Sequence, residues 1–162
     1  MKSKIFSVVV VLAMALVVCA PTVLAQVSET DQLQQLRGEI QADRQAVVAA
    51  NLKLTEAEGA AFWPLYREYR GDMAKLGDRL QKLIQDYAVT YESATAEQAK
   101  AMVDEMMSIQ RADLKVKESY LPKFRKVLPE VKVARLLQIE NKIDILIKLE
   151  LAGAIPLIGA AK

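Results

Sequence analysis

The chain reads as an all-α protein: an elongated, bent antiparallel helical hairpin with additional N- and C-terminal helices, expected to pair as a dimer. Three observations predict this. Phe62, Tyr66, Tyr69, Met73, Leu76, Leu80, Leu83 and Tyr87 recur at spacings of four and three, the repeat that lays one apolar seam along a single helix. Thr55 with Glu58 and Thr95 with Gln98 form two capping boxes, in which side chains satisfy backbone N–H groups that have no partner in a first turn. No alternating strand pattern and no glycine-rich loop competes with the helical reading.

Residues 1–25 have the three parts of a secretory leader. Lys2 and Lys4 precede an apolar run from Ile5 to Val18, and Val23, Leu24 and Ala25 place small residues where a signal peptidase cuts. The expectation is a periplasmic protein exported with cleavage after Ala25, leaving residues 26–162 as a single all-helical domain. An uncleaved anchor is the rival reading, because Ile5–Ala25 is nearly all apolar, but Pro21 and Thr22 interrupt that run. Lipid attachment at Cys19 is disfavoured because Val18 stands where a small residue is needed. Removing 25 of 162 residues also removes the single cysteine, and the sequence has no histidine. Disulfides and zinc, haem or copper sites built on those ligands are thereby excluded from the mature chain. The charge falls from +2 to zero, since two lysines leave and no acid does. A basic attraction to nucleic acid is not expected.

Leu33, Leu36, Ile40, Val47 and Val48 form a narrow stripe on a first helix, interrupted at Asp43. The central helix starts at Thr55 and would be roughly 55 Å long, against about 37 Å for a compact globule of this size. Pro64 lies inside it and should kink it. A short turn at residues 92–94 makes the next helix, capped at Thr95, an antiparallel neighbour. Its seam runs through Met102, Met106 and Ile109, meets Asp113 where an apolar residue is due, and restarts offset as Leu114, Leu121, Phe124 and Leu128. A bend near Asp113 and another near Pro122 are expected. Pro129 suits the first position of a fourth helix, with Glu130 beside its positive end. Leu136, Ile139, Ile143 and Leu146 form its main stripe, while Leu137, Ile145, Ile147 and Leu149 lie on other sides, more apolar surface than one neighbour can cover. This surplus is the basis for expecting a homodimer. Gly153 is expected to end the helix, and the apolar tail 154–161, broken by Pro156 and Gly159, is too short to span a membrane.

Leu54-Thr55-Glu56-Ala57-Glu58, behind a leader and in a helical chain without disulfides, resembles the Leu-Thr-x-x-Gln motif of the Spy/CpxP family of bacterial periplasmic chaperones and envelope-stress proteins, with Glu58 in place of Gln. A second copy of the motif has Ala94 for the leucine before Thr95-Ala96-Glu97-Gln98, or keeps little beyond Leu128 in Leu128-Pro129-Glu130. Phe62-Trp63-Pro64-Leu65-Tyr66 is similar to a string in exported bacterial proteins of this general kind. The resemblance covers Leu54–Glu150. It implies a bent hairpin that dimerises into a cradle and holds unfolded clients on its concave face without ATP.

The candidate client-binding residues are Phe62, Trp63, Tyr66 and Tyr69 with Lys115, Lys117, Lys123, Arg125 and Lys126. Aromatic rings offer large contact area at low entropy cost. Phe62, Tyr66 and Tyr69 lie on the seam, where core is the simpler reading; Trp63 lies one position off it. Eight basic residues between Arg111 and Arg135 face three acids, a local excess of five that could attract acidic clients or an anionic membrane surface. Met73, Met102, Met106 and Met107 could hold monovalent copper through thioethers, but seam packing or adaptable client contact explains them better. Asp104 and Glu105 point to different faces, so they form no acid–base pair, and no nucleophile has a histidine beside it. No cofactor and no enzymatic activity are expected. Three functions compete: a chaperone that holds several unrelated unfolded proteins, a structural adaptor that binds one specific partner through coiled-coil-like helices, and, last because its ligands are few, a metal-responsive regulator.

Overall fold

A computed structural model describes residues 43–159, and these residues are all-α. The leader with its cleavage site, and the stripe positions Leu33, Leu36 and Ile40, lie outside the described residues. Helix α1 is described over residues 43–52. It is followed by α2 (Glu56–Thr90), α3 (Ala96–Val127) and α4 (Glu130–Ala154).

Both capping boxes close. The Thr55 hydroxyl accepts from the Glu58 N–H at 3.3 Å while the Glu58 carboxylate accepts from the Thr55 N–H at 2.7 Å. Thr95 and Gln98 repeat the exchange at 3.2 and 2.9 Å. Lys132 of α4 also donates to the Glu58 carboxylate, so the first cap is tied to the last helix. That bond, followed by the one from the Thr55 N–H, holds the Glu58 carboxyl below the usual glutamate range. Its contribution is present at neutral pH and is lost as pH falls through the lowered value. Lys53, between α1 and α2, takes a left-handed conformation with φ of 49°, the sharp reversal that sends α1 back along the bundle.

The pairing partners show the topology. Phe62 meets Phe124, Tyr69 meets Tyr120 and Arg79 meets Glu105, numbers that run in opposite directions, so α2 and α3 are antiparallel. Tyr66 reaches Glu140 and Tyr87 reaches Pro156, so α4 runs the same way as α2. Arg44 meets Glu140 while the Lys53 carbonyl accepts from Lys132, which makes α1 antiparallel to α4.

The core lies at the end where all four helices meet. Val48 and Leu52, Phe62, Tyr66 and Tyr69, Tyr120, Phe124 and Leu128, and Val133, Leu136 and Ile139 form one buried cluster. Farther along the hairpin, Leu76, Leu80, Leu83 and Tyr87 are half-buried. Their seam is continuous, and among the described residues α2, α3 and the segment after α4 meet there. Among the described residues no helix is long and apolar enough to cross a membrane.

Several expectations need correction. The α3 seam does not restart with an offset: Ile109, Tyr120 and Phe124 are buried, Asp113 and Val116 are half-buried between them, and Leu114 is exposed. Asp113 keeps its place on this face because Lys117 pairs with it at 2.9 Å and reaches Asp144 of α4 at 3.4 Å. In α1 the inward positions are 44, 48 and 52, spaced by four, so Val47 is exposed and Arg44 is buried. In α4, Leu146 is exposed, and Glu140 takes a core position instead. Pro64 and Pro122 lie inside α2 and α3, as the sequence places them, and each helix continues past its proline. Each proline leaves a carbonyl without its helical donor, at Ala60 and Glu118, both of them exposed residues where water can substitute. Pro129 is the N-cap of α4, one position earlier than expected, and α4 continues through Gly153 to Ala154.

Candidate functional site

Aromatic residues four and three apart on α2 turn one face toward α3. Phe62 stacks on Tyr66 with ring centroids 5.2 Å apart and meets Phe124 at 5.8 Å; Tyr69 stands edge-on to Tyr120 at 5.4 Å and to Phe124 at 5.6 Å. The antiparallel pairing therefore brings the end of α3 beside the start of α2, as the short turn requires. Phe62, Tyr66 and Tyr69 are all buried, so they support the surface from within and do not form it.

Trp63 is the member of the group that reaches the surface. Its ring stands edge-on to Phe62 at 4.9 Å and to Tyr66 at 5.8 Å, half-buried, with its remaining face on an open groove of about 550 Å³. Leu54, Thr55, Gly59, Ala60, Pro64 and Arg67 line that groove with it. The groove exists because residues 59 and 60, one turn before the indole, are glycine and alanine. The cation on its rim is Arg67 of α2, not a residue of the basic stretch of α3.

The basic stretch is divided. Lys117 is committed to Asp113 and Asp144, Arg125 to Glu130 at 2.8 Å, and Lys132 to Glu58. Lys123 lies over the Tyr120 ring, 4.2 Å from its centroid. Lys115 and Lys126 are exposed. Lys123 and Arg125 are exposed as well, and Lys117 alone of the five predicted basic residues is half-buried.

Beneath the aromatic layer is a polar cluster that periodicity does not reveal. The Glu140 carboxylate accepts from the Tyr66 hydroxyl at 2.6 Å, from Arg44 at 2.8 Å and from Arg70 at 3.2 Å; Arg44 also donates to Asp144 at 3.0 Å. Arg44 is 5 % and Glu140 2 % exposed. Burial alone would lower the pKa of Arg44, yet the facing carboxylates of Glu140 and Asp144 raise it above the ordinary arginine value. Burial, and then the Glu140 charge, push the Tyr66 phenol well above the ordinary tyrosine range. These contacts make one ion cluster that joins α1, α2 and α4. Tyr120 is likewise pushed up to about 12, by burial and by its hydrogen bond to Asp72 at 2.8 Å.

The four methionines do not share a site. Met73 packs against the core, while Met102, Met106 and Met107 lie at the other end of the hairpin. Among the described residues no group of three or more His, Cys, Asp or Glu is placed to hold a metal ion. No protein-family model matches the chain, and no curated protein or solved structure matches it either.

Proposed function

We propose that the mature chain is an exported, periplasmic holding protein that keeps unfolded polypeptides from aggregating without ATP. One observation carries this reading: large apolar side chains are left open on helices whose other face is locked into a core. Val103 and Leu114 are each more than half exposed, and Trp63 opens onto its groove. Apolar area of this kind on rigid elements fits contact with other chains. The partial Leu-Thr-x-x-Gln motif at Leu54–Glu58 and the leader support the same compartment and activity. Exposed Lys115 and Lys126, with Arg67 beside Trp63, would add weak attraction to acidic clients or to a membrane surface.

The test is light scattering of two unrelated unfolding proteins mixed with the purified mature chain. Both should stay soluble at near-equimolar ratio. Trp63→Ala should weaken that protection with helicity retained. A mature chain that protects one protein and ignores the other points to the adaptor reading; a Trp63→Ala variant with full protection removes Trp63 from the client surface.

The proposal includes a homodimer, with Ile145, Leu146 and Leu149 of α4 buried between the copies. Sedimentation at micromolar concentration should then show an association that Leu146→Glu abolishes. A monomer independent of concentration would remove the dimer from the account.

A further inference from the structure

At the end of the hairpin away from the core, a groove of about 430 Å³ lies between α2, α3 and the chain that follows α4. Leu83, Ile84, Tyr87, Met102 and Met106 line one side, Ile155–Ile158 the other, and no charged side chain lines either. Its volume is within the range of small-ligand sites, about 300–1,000 Å³. Methionine suits such a surface because its unbranched thioether adapts to differently shaped neighbours.

The chain's own tail lies along this groove. Ile155 is extended, the Tyr87 hydroxyl donates to the Pro156 carbonyl at 2.8 Å, and the Gly159 N–H donates to the Tyr91 carbonyl at 2.7 Å. Gly159 permits the last contact: a Cβ there would stand 3.2 Å from the Glu92 carbonyl oxygen and 3.3 Å from that of Tyr91. The tail is held by its backbone more than by its side chains, for Leu157 is 92 % and Ile158 46 % exposed. An occupant anchored by two main-chain bonds, with Leu157 almost wholly in water, fills the site poorly.

We propose that this groove binds extended apolar segments of other polypeptides, and that residues 155–159 are an internal competitor which such a segment displaces. A donor at the Tyr87 hydroxyl and an acceptor at the Tyr91 carbonyl, now taken by residues 156 and 159, match the backbone of any extended peptide. Side chains better placed than Leu157 would enter against Met102 and Met106. A fatty acyl chain could fill the apolar space but, having displaced the tail, would leave both polar groups without their partners. The inference deepens the holding function by giving it a site and a ligand chemistry.

The experiment is a titration of the full mature chain with a fluorescent peptide of the sequence of residues 154–162, read by anisotropy. Gly159→Val loosens the tail without touching the hairpin wall. It should tighten binding at least about threefold, because apparent affinity is reduced by whatever fraction of the site is already occupied. Met106→Asp should weaken binding about tenfold or more, since a charge would be buried without a partner. Val103→Asp, at a position 61 % exposed on the same wall, is the second variant should the first lose helicity. Unchanged affinity in Gly159→Val, or unchanged affinity in both aspartate variants, overturns the proposal. So does uptake of a fluorescent fatty acid by a chain that ignores the peptide. Loss of this binding with aggregation suppression intact would leave the holding function standing and move client contact to the Trp63 groove.

Discussion

Replacing Glu140 with leucine is expected to destabilise the protein by about 3–5 kcal/mol, the cost of removing one partner from a buried ion pair. Glu140 receives three donors from two other helices, so its loss strands the Tyr66 hydroxyl and leaves Arg70 without its carboxylate and Arg44 with Asp144 alone. Against a total stability of about 5–15 kcal/mol, this is a large fraction of what keeps the domain folded. The cluster is not expected to be a large net source of stability. The Nε atoms of Arg44 and Arg70 are buried without a partner, so part of their desolvation is never recovered. Its contribution is to specify which faces of α1, α2 and α4 meet. The triple variant Arg44→Met, Tyr66→Phe, Glu140→Leu should therefore recover much of what the single change loses. Urea unfolding measures both. A single variant as stable as the parent would show that Glu140 is not buried among these donors.

Phe62→Ala is expected to cost about 3–5 kcal/mol as well, through a cavity and not through charge. The ring is fully buried and touches Trp63, Tyr66 and Phe124, the last from the opposite helix. Removing it opens the junction of α2 with α3 and undermines the inner support of Trp63. Phe62→Leu should recover more than half of the loss, because the residual void is smaller. Leu146→Ala, at an exposed position of α4, should change stability by no more than about 0.5 kcal/mol in the monomer. Equal effects at positions 62 and 146 would contradict the placement of the core.

Local features were legible in the sequence because their determinants are neighbours. Thr55 and Glu58 are one helical turn apart, so the start of α2 could be read at the residue, and the same holds for Thr95 and Gln98. Spacings of four and three placed Phe62, Tyr66 and Tyr69 on one face, and the short turn after Thr90 set the antiparallel pairing. What could not be read depends on partners distant in the chain. Arg44 and Glu140 each look like surface charge, and each is buried because the other waits 96 residues away. The same logic explains Asp113, which seemed to break the α3 stripe but is accommodated by Lys117 and Asp144. Met102, Met106 and the Pro156–Gly159 tail were each visible, but nothing local says that Tyr87 would hold the tail over the methionines. Burial of the aromatic group was foreseeable from its place on the seam, and Trp63, one position off, escaped it for that reason.

The central claim is that the four-helix end carries stability while open apolar surfaces along the same helices carry binding. Hydrogen exchange on the mature chain, alone and with an excess of an unfolded client, tests it directly. Amides in residues 120–139 should exchange slowest and should not change when client is added, whereas residues 83–107 and the rim of the Trp63 groove at residues 54–60 should slow markedly. Protection unchanged at both surfaces, or gained within the core segment alone, would contradict the account.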